Sequence, residues 1–253
     1  MGSISKQDKK YINSLSVKKY RDKERLFVVE GEKSVEEFVS SSFVVRTVYY
    51  THECSFPPDK YQNTSKITTT EMQQISNLKT ASPVLAVVEI PPAGTESIPH
   101  NELILALDDI QDPGNLGTII RLADWFGIKY IVCSSYTADA YGPKTVQATM
   151  GSLTKVKIVY TDLFSFLKPL NGEIPIYGTF LEGENIYHTE LSSNGVIVMG
   201  NEGKGISQEI TKLVSNKLLI PSFAANPPES LNVAVATAIT CSEFKRRFQD
   251  SKI

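Results

Sequence analysis

The chain reads as an α/β protein in two parts: a small N-terminal α/β unit, and a larger C-terminal unit built on a mostly parallel sheet covered by helices. Three observations predict this. Apolar, β-branched runs alternate with segments of helical periodicity along the chain. Residues 91–100 contain three prolines and a glycine, which resist helix and sheet alike and mark a linker. In the C-terminal part, three apolar strands each run into a loop bearing glycine or asparagine and then into a helix, the place where α/β sheets bind ligands. The boundaries that follow are 1–92 for the first domain, 93–101 for the linker and 102–253 for the second.

In order along the chain, residues 6–25 read as a basic helix. Leu26-Phe27-Val28-Val29 is a strand, and 32–38 a helix with Val35, Phe38 and Val39 at helical spacing. Strands follow at 44–50 and 84–90, with a helix at 71–75 between them. After the linker, strands are expected at 103–108, 129–133, 156–160, 174–178, 196–200 and 217–220. Helices are expected at 115–126, 144–150, 162–168, 207–215 and 230–247, an alternation that implies parallel strands.

Bulk properties bound the function. With 253 residues, 41% hydrophobic and 21% charged, the chain is an ordinary globular one. Its net charge of -2 excludes a whole-protein positive field, but residues 1–33 carry nine basic against five acidic side chains, and such a patch can hold phosphates. A solvated helix face would look the same. Three widely spaced cysteines argue against a disulfide framework, and three histidines show no metal-ligand spacing, so no metal is expected. No apolar run approaches the roughly 20 residues that span a bilayer. The N-terminus has no secretory core, so a cytoplasmic location and no membrane partner are expected.

The three corners carry the chemistry. In the first, Asp112-Pro113-Gly114 turns sharply and Asn115 reads as the helix cap. Leu116, Ile119, Ile120 and Ala123 form the buried face, with Gly117 and Arg121 one turn apart on the other. Arginine offers a rigid fork of donors for phosphate or an oxyanion. Taken alone, these residues also describe a capped helix with a surface arginine. The second corner, Gly200-Asn201-Glu202-Gly203-Lys204-Gly205, has neither the dinucleotide spacing nor the Walker spacing, so a Rossmann dehydrogenase and a P-loop nucleotidase are unsupported. Ser207 is placed to cap the helix after it. In the third, Ser230 stands where a cap belongs and Asn232 in the first turn, before a small-residue helix that must be buried on most faces.

Together, D-P-G-N-L-G-T-I-I-R, G-N-E-G-K-G and S-L-N-V-A-V-A closely resemble, in order and spacing, the three motifs of the SpoU (TrmH-type) RNA ribose 2′-O-methyltransferases. The resemblance covers essentially all of 101–253, and Ala148-Thr149-Met150-Gly151-Ser152-Leu153 resembles a further family segment. Phe27-Val28-Val29-Glu30-Gly31 resembles the family's N-terminal RNA substrate-binding domain more loosely. The resemblance implies a deep trefoil knot in the C-terminal domain, S-adenosyl-L-methionine as cofactor, and a homodimer with the 233–240 helix at its interface. It implies Asn115, Arg121, Glu202, Ser230 and Asn232 as catalytic residues. It implies Thr179, Gly200, Gly203, Ile220 and Leu231 as cofactor contacts. Arg121 would stabilise the developing alkoxide, and Glu202 would hold the arrangement as its counter-ion. One departure is visible: the loop 222–229 is longer than the family's and has no glycine.

The expected activity is S-adenosylmethionine-dependent RNA 2′-O-ribose methylation, on ribosomal more than transfer RNA. A non-catalytic RNA-binding assembly factor is the alternative that the basic segment supports. A phosphate-cofactor enzyme is the third, and lacks both phosphate-loop spacings.

Overall fold

The computed structural model describes residues 4–55, 61, 63–92, 98–226 and 229–248. The N-terminal residues 1–3, part of the expected linker (93–97) and part of the long loop (227–228) lie outside the described residues. The elements run α1 (Lys6–Ser14), α2 (Lys18–Glu24), β1 (Leu26–Glu30), α3 (Glu32–Val39), β2 (Val45–Tyr50), β3 (Thr64–Lys66), α4 (Thr69–Ile75) and β4 (Val84–Glu89). They continue β5 (Leu103–Asp108), α5 (Pro113–Trp125), β6 (Tyr130–Cys133), α6 (Pro143–Thr149), β7 (Lys157–Tyr160), α7 (Leu163–Leu167), β8 (Ile176–Asn185), β9 (Gly195–Gly200), α8 (Gln208–Thr211), β10 (Asn216–Leu219) and α9 (Val233–Arg247).

These form two compact units: Met1–Gly94 with Asp139–Thr154, and Thr95–Ala138 with Lys155–Ile253. The stretch 139–154, which the sequence places in the larger part, therefore belongs to the first unit. Its anchor is Asp139, whose carboxylate takes Nε and Nη2 of the buried Arg21 at 3.1 and 2.6 Å. Arg21 also explains why 6–25 is two helices rather than one. Its Nη1 donates to the carbonyls of Leu15 and Ser16, both at 2.8 Å, and so satisfies the chain where it breaks between α1 and α2.

The first unit holds a four-stranded sheet in the order β1-β4-β2-β3, with β4 antiparallel to both β1 and β2. Ile12, Leu15, Val28, Met72, Ile75 and Leu85 form the core under α1 and α4. The three-residue β3 was not expected, because Thr64-Ser65-Lys66 carries no apolar signal.

The second unit holds a six-stranded, wholly parallel sheet in the order β10-β8-β9-β5-β6-β7. The central strands β5 and β9 are buried at every residue, which is why they read as unbroken apolar runs. β8 runs to Asn185, well past the expected 178, because its exposed second half pairs with β10 after a register shift between Lys217 and Leu218. α9 is buried on the residues Val233, Ala234, Thr237, Thr240, Cys241 and Phe244. Its Thr237 and Thr240 hydroxyls return to the carbonyls one turn back, at 2.7 and 2.8 Å, so burying them leaves no orphan. Among the described residues, no helix is long and apolar enough to cross a membrane.

Candidate functional site

α5 begins one turn earlier than the sequence suggests. Asp112, not Asn115, is its N-cap, and Asp112 Oδ1 accepts the Asn115 N–H at 2.7 Å. Pro113 fits the first helical position, since it has no N–H to satisfy and its φ is already helical. The Asn115 amide is therefore free to reach outward. Gly117 is buried with Leu116, Ile119, Ile120 and Ala123 rather than facing a ligand. Arg121 lies on the opposite, exposed stripe with Thr118 and Trp125. Among the described residues it makes no ion pair and no hydrogen bond.

β9 delivers the glycine loop. Asn201 and Gly205 exchange both backbone hydrogen bonds, at 3.0 and 2.9 Å, closing residues 201–205 into a tight turn. Asn201 Oδ1 accepts the N–H groups of Gly203 and Lys204, both at 3.0 Å, and its Nδ2 donates to the Asp109 carbonyl at 2.7 Å. Gly205 has φ +67, a left-handed conformation that favours glycine. Ser207 stands at the N-cap of α8 without a side-chain cap, and α8 spans only 208–211. The Ser207 N–H instead donates to Asp108 Oδ2 at 2.7 Å.

The third corner is capped by Asn232 rather than Ser230. Asn232 Oδ1 accepts the N–H groups of Ala234 and Val235 at 2.9 and 3.3 Å. Ser230 is exposed and makes no hydrogen bond with the described residues.

A single hydrogen-bond chain ties the three corners. Asn232 Nδ2 donates to Asn115 Oδ1 at 2.9 Å, and Asn115 Nδ2 donates to Glu202 Oε1 at 3.0 Å. Glu202 also accepts the N–H groups of Gln111 and Asp112, each at 3.2 Å. Both ends fix the direction. Amide N–H groups at the start of α9 can only donate and the carboxylate can only accept, so both asparagines have one possible orientation. Burial by itself raises the Glu202 carboxyl, but the hydrogen bonds from Asn115, Gln111 and Asp112 outweigh it and hold the group below its ordinary value. The expected Arg121–Glu202 ion pair is thus corrected: Glu202 is engaged by Asn115 and the backbone, and among the described residues the guanidinium has no partner.

The remaining site residues sit at the same end of the sheet. Gly200 closes β9, and Ile220 follows β10 half-buried. Leu231 is 46% exposed beside Asn232, and Gly203 is exposed in its loop. Thr179, on β8, places Oγ1 3.8 Å from Met199 Sδ on β9. Half-exposed Ile220 and Leu231 beside a loop rich in backbone polar groups fit an adenosine-bearing sulfonium such as S-adenosylmethionine. Among the described residues, no group of three His, Cys, Asp or Glu could hold a metal. Two organising residues escaped the sequence reading, Asp108 and Asn201. Asp108 had a signal: among the described strands of the parallel sheet it is the one carboxylate ending an otherwise apolar strand, and it is 6% exposed.

The family model described as the SpoU rRNA Methylase family matches residues 102–242, and the MRM3-like substrate binding domain matches residues 6–86. The 23S rRNA (guanosine(2553)-2′-O)-methyltransferase RlmP of Bacillus subtilis (strain 168) is 32% identical over 241 residues, covering 94% of this chain and 95% of that protein. A putative RNA methyltransferase of the TrmH family from Porphyromonas gingivalis superposes with TM-score 0.85 at 37% identity, covering 96% of this chain and 99% of that one. An AdoMet-bound rRNA methyltransferase from Sinorhizobium meliloti superposes with TM-score 0.86 at 27% identity, covering 97% and 98%. With three motif corners joined by one hydrogen-bond chain and a match over the whole parallel-sheet unit, this chain belongs to the SpoU rRNA methylase family.

Proposed function

We propose that the protein methylates a ribose 2′-hydroxyl of RNA, ribosomal rather than transfer RNA, using S-adenosyl-L-methionine. The observation that carries this reading is the Glu202–Asn115–Asn232 chain with Arg121, unpaired among the described residues, on the helix that supplies Asn115. The RlmP likeness, over nearly the full length of both chains, favours ribosomal RNA.

When bound, S-adenosylmethionine supplies a methyl group on a sulfonium, already activated for attack by an oxygen. Gly200, Gly203, Ile220, Leu231 and Thr179 hold it. The protein's own task is alignment and one proton. Arg121 stays protonated, so it acts as a fixed cation that stabilises the developing alkoxide and an adjacent phosphate, while the proton leaves late to water or phosphate. Asn115 orients the ribose, Glu202 and Asn232 hold Asn115, and Ser230 completes the wall. Isothermal calorimetry of the full chain is expected to show one S-adenosylmethionine bound per chain. Absence of any binding heat would remove the methyltransferase reading in favour of an RNA-binding factor.

The finer architecture is proposed with it. Residues 1–92 together with 139–154 form the RNA-binding part, and the rest of 102–253 a deep trefoil knot in which the chain after β10 passes through the 200–206 region. Support comes from the superposition on the TrmH-family structure over 96% of this chain. An experimental density trace passing outside that region would contradict it. The protein works in the cytoplasm as a homodimer. Trp125 on α5 is 83% exposed, and Leu231 and Val235 at the head of α9 are 46% and 48% exposed, and a second copy covers these apolar side chains. Sedimentation equilibrium is expected to give twice the 28.0 kDa chain mass, and a 28.0 kDa species would exclude the dimer.

A further inference from the structure

We propose that a cleft in the first unit binds one unpaired guanine nucleotide of the RNA substrate, a site separate from the methyl-transfer corners. This rests on the RNA-directed reading above and names what the N-terminal part recognises.

The cleft encloses about 460 Å³ and lies where α1 stops covering the sheet. That volume is within the range of small-ligand sites and suits a nucleotide, not a helix. Leu26, Val87, Tyr11, Tyr49, Glu24 and Arg46 are among the residues that line it.

Two irregularities of the backbone build it. β2 carries a bulge between Val45 and Thr47 in its pairing with β4. An extra residue in a strand re-aims its side chain, and here Arg46 joins Thr47 in lining the cleft, with Nε 2.5 Å from Glu89 Oε1. The junction of α2 and β1 is Arg25 at φ +55, a conformation costly to a residue other than glycine. It sets Glu24 and Leu26 on the cleft wall, while Arg25 Nη2 is held by the Ile90 carbonyl at 3.3 Å.

The polar groups select guanine. Glu89 is engaged by Arg46, and Asp8 by the Ser5 hydroxyl at 2.7 Å. Glu24 has capacity to spare: the Tyr11 hydroxyl is 3.4 Å away, long for an O–H···O bond, and its other partner is the exposed Lys23 at 3.2 Å. A carboxylate only accepts. Guanine alone among the four bases presents two adjacent donors, N1–H and the 2-amino group, which pair with both oxygens of one carboxylate. Adenine and cytosine set an acceptor beside their amino group, and uracil flanks its single N–H with two carbonyls. Arginine is the matching donor for guanine O6 and N7, or for the phosphate. The Tyr49 hydroxyl makes no hydrogen bond with the described residues, and burial together with nearby Asp8 raises its phenol above the ordinary value, so its neutral ring and hydroxyl are available to a stacked base.

The test is an amide-resonance titration of the full chain with GMP, AMP, CMP and UMP. GMP is expected to shift the amides of Thr47, Tyr49 and Val87, and the other three to shift them less. Glu24→Gln is expected to weaken GMP roughly ten-fold and leave AMP unchanged. On rRNA it raises KM and leaves kcat unchanged. No GMP shift at these amides, equal response to all four nucleotides, or a Glu24→Gln protein that binds GMP as well as wild type would overturn the proposal. Calorimetry with S-adenosylmethionine is run on the same samples. Loss of that heat in the wild type would strike the methyltransferase reading and leave the GMP result to stand or fall alone.

Discussion

Arg121→Ala is expected to lower methyl transfer to rRNA by about 10²- to 10³-fold at saturating S-adenosylmethionine, the scale of removing one preorganised charge donor from a developing oxyanion. Folding should be nearly untouched. The side chain is exposed and, among the described residues, has no ion pair or hydrogen bond, so its removal falls in the range of about 0.5 kcal/mol typical of the surface. Cofactor affinity should also hold, because Glu202 is held by Asn115, Gln111 and Asp112 and not by Arg121. Arg121→Lys keeps the charge but loses the planar fork, and recovers only part of the rate. The check is tritium transfer from labelled cofactor to RNA, beside calorimetry and a melting curve. An alanine variant keeping more than a third of wild-type turnover would remove Arg121 from the reaction.

The second large effect is on the scaffold. At Gly200 an added Cβ would stand 2.3 Å from both the Gly205 carbonyl carbon and the Ile206 nitrogen, and 2.7 Å from the Gly205 oxygen. All three are backbone atoms of a loop closed by two hydrogen bonds, so nothing there can swing aside. Gly200→Ala is expected to cost about 1–3 kcal/mol, lowering the melting temperature by roughly 3–10 °C. It should also displace Glu202 and so weaken cofactor binding and turnover together. Gly203→Ala is the control in the same loop. Its Cβ meets nothing nearer than Asn201 Oδ1 at 3.8 Å, so its melting curve should match wild type. Equal melting temperatures for Gly200→Ala and wild type would mean that the loop does not close on β9 as described.

Much of this was legible from residues. β5 and β9 read correctly because a parallel strand buried on both faces is an almost unbroken apolar run, with Asp108 the single polar residue at the end of β5. Asn115, Glu202 and Asn232 were visible as polar residues at strand-to-helix corners, yet their mutual bonding was not. It depends on where each helix starts, and both starts shift by a few residues: Pro113 moves α5 earlier, and Asn232 outcompetes Ser230 at α9 by capping two amides. The Glu202–Arg121 pair failed for a related reason. The pairing was drawn from the roles that the resemblance implies, whereas Glu202 is met first by an asparagine and two backbone amides. Residues 139–154 carry no compositional break, so tertiary contacts such as Arg21–Asp139 and the Phe27–Tyr141 ring pair show which unit holds them. β3 is too short and polar to announce itself.

The measurement that bears most directly on the account is the product of a single reaction. Purified protein, labelled S-adenosylmethionine and unmodified large-subunit rRNA are combined, and the RNA is digested to nucleosides. The account predicts label in one 2′-O-methylated nucleoside, lost in Arg121→Ala and in Asn115→Ala. Label on a base, or no label with correctly folded protein, would contradict it.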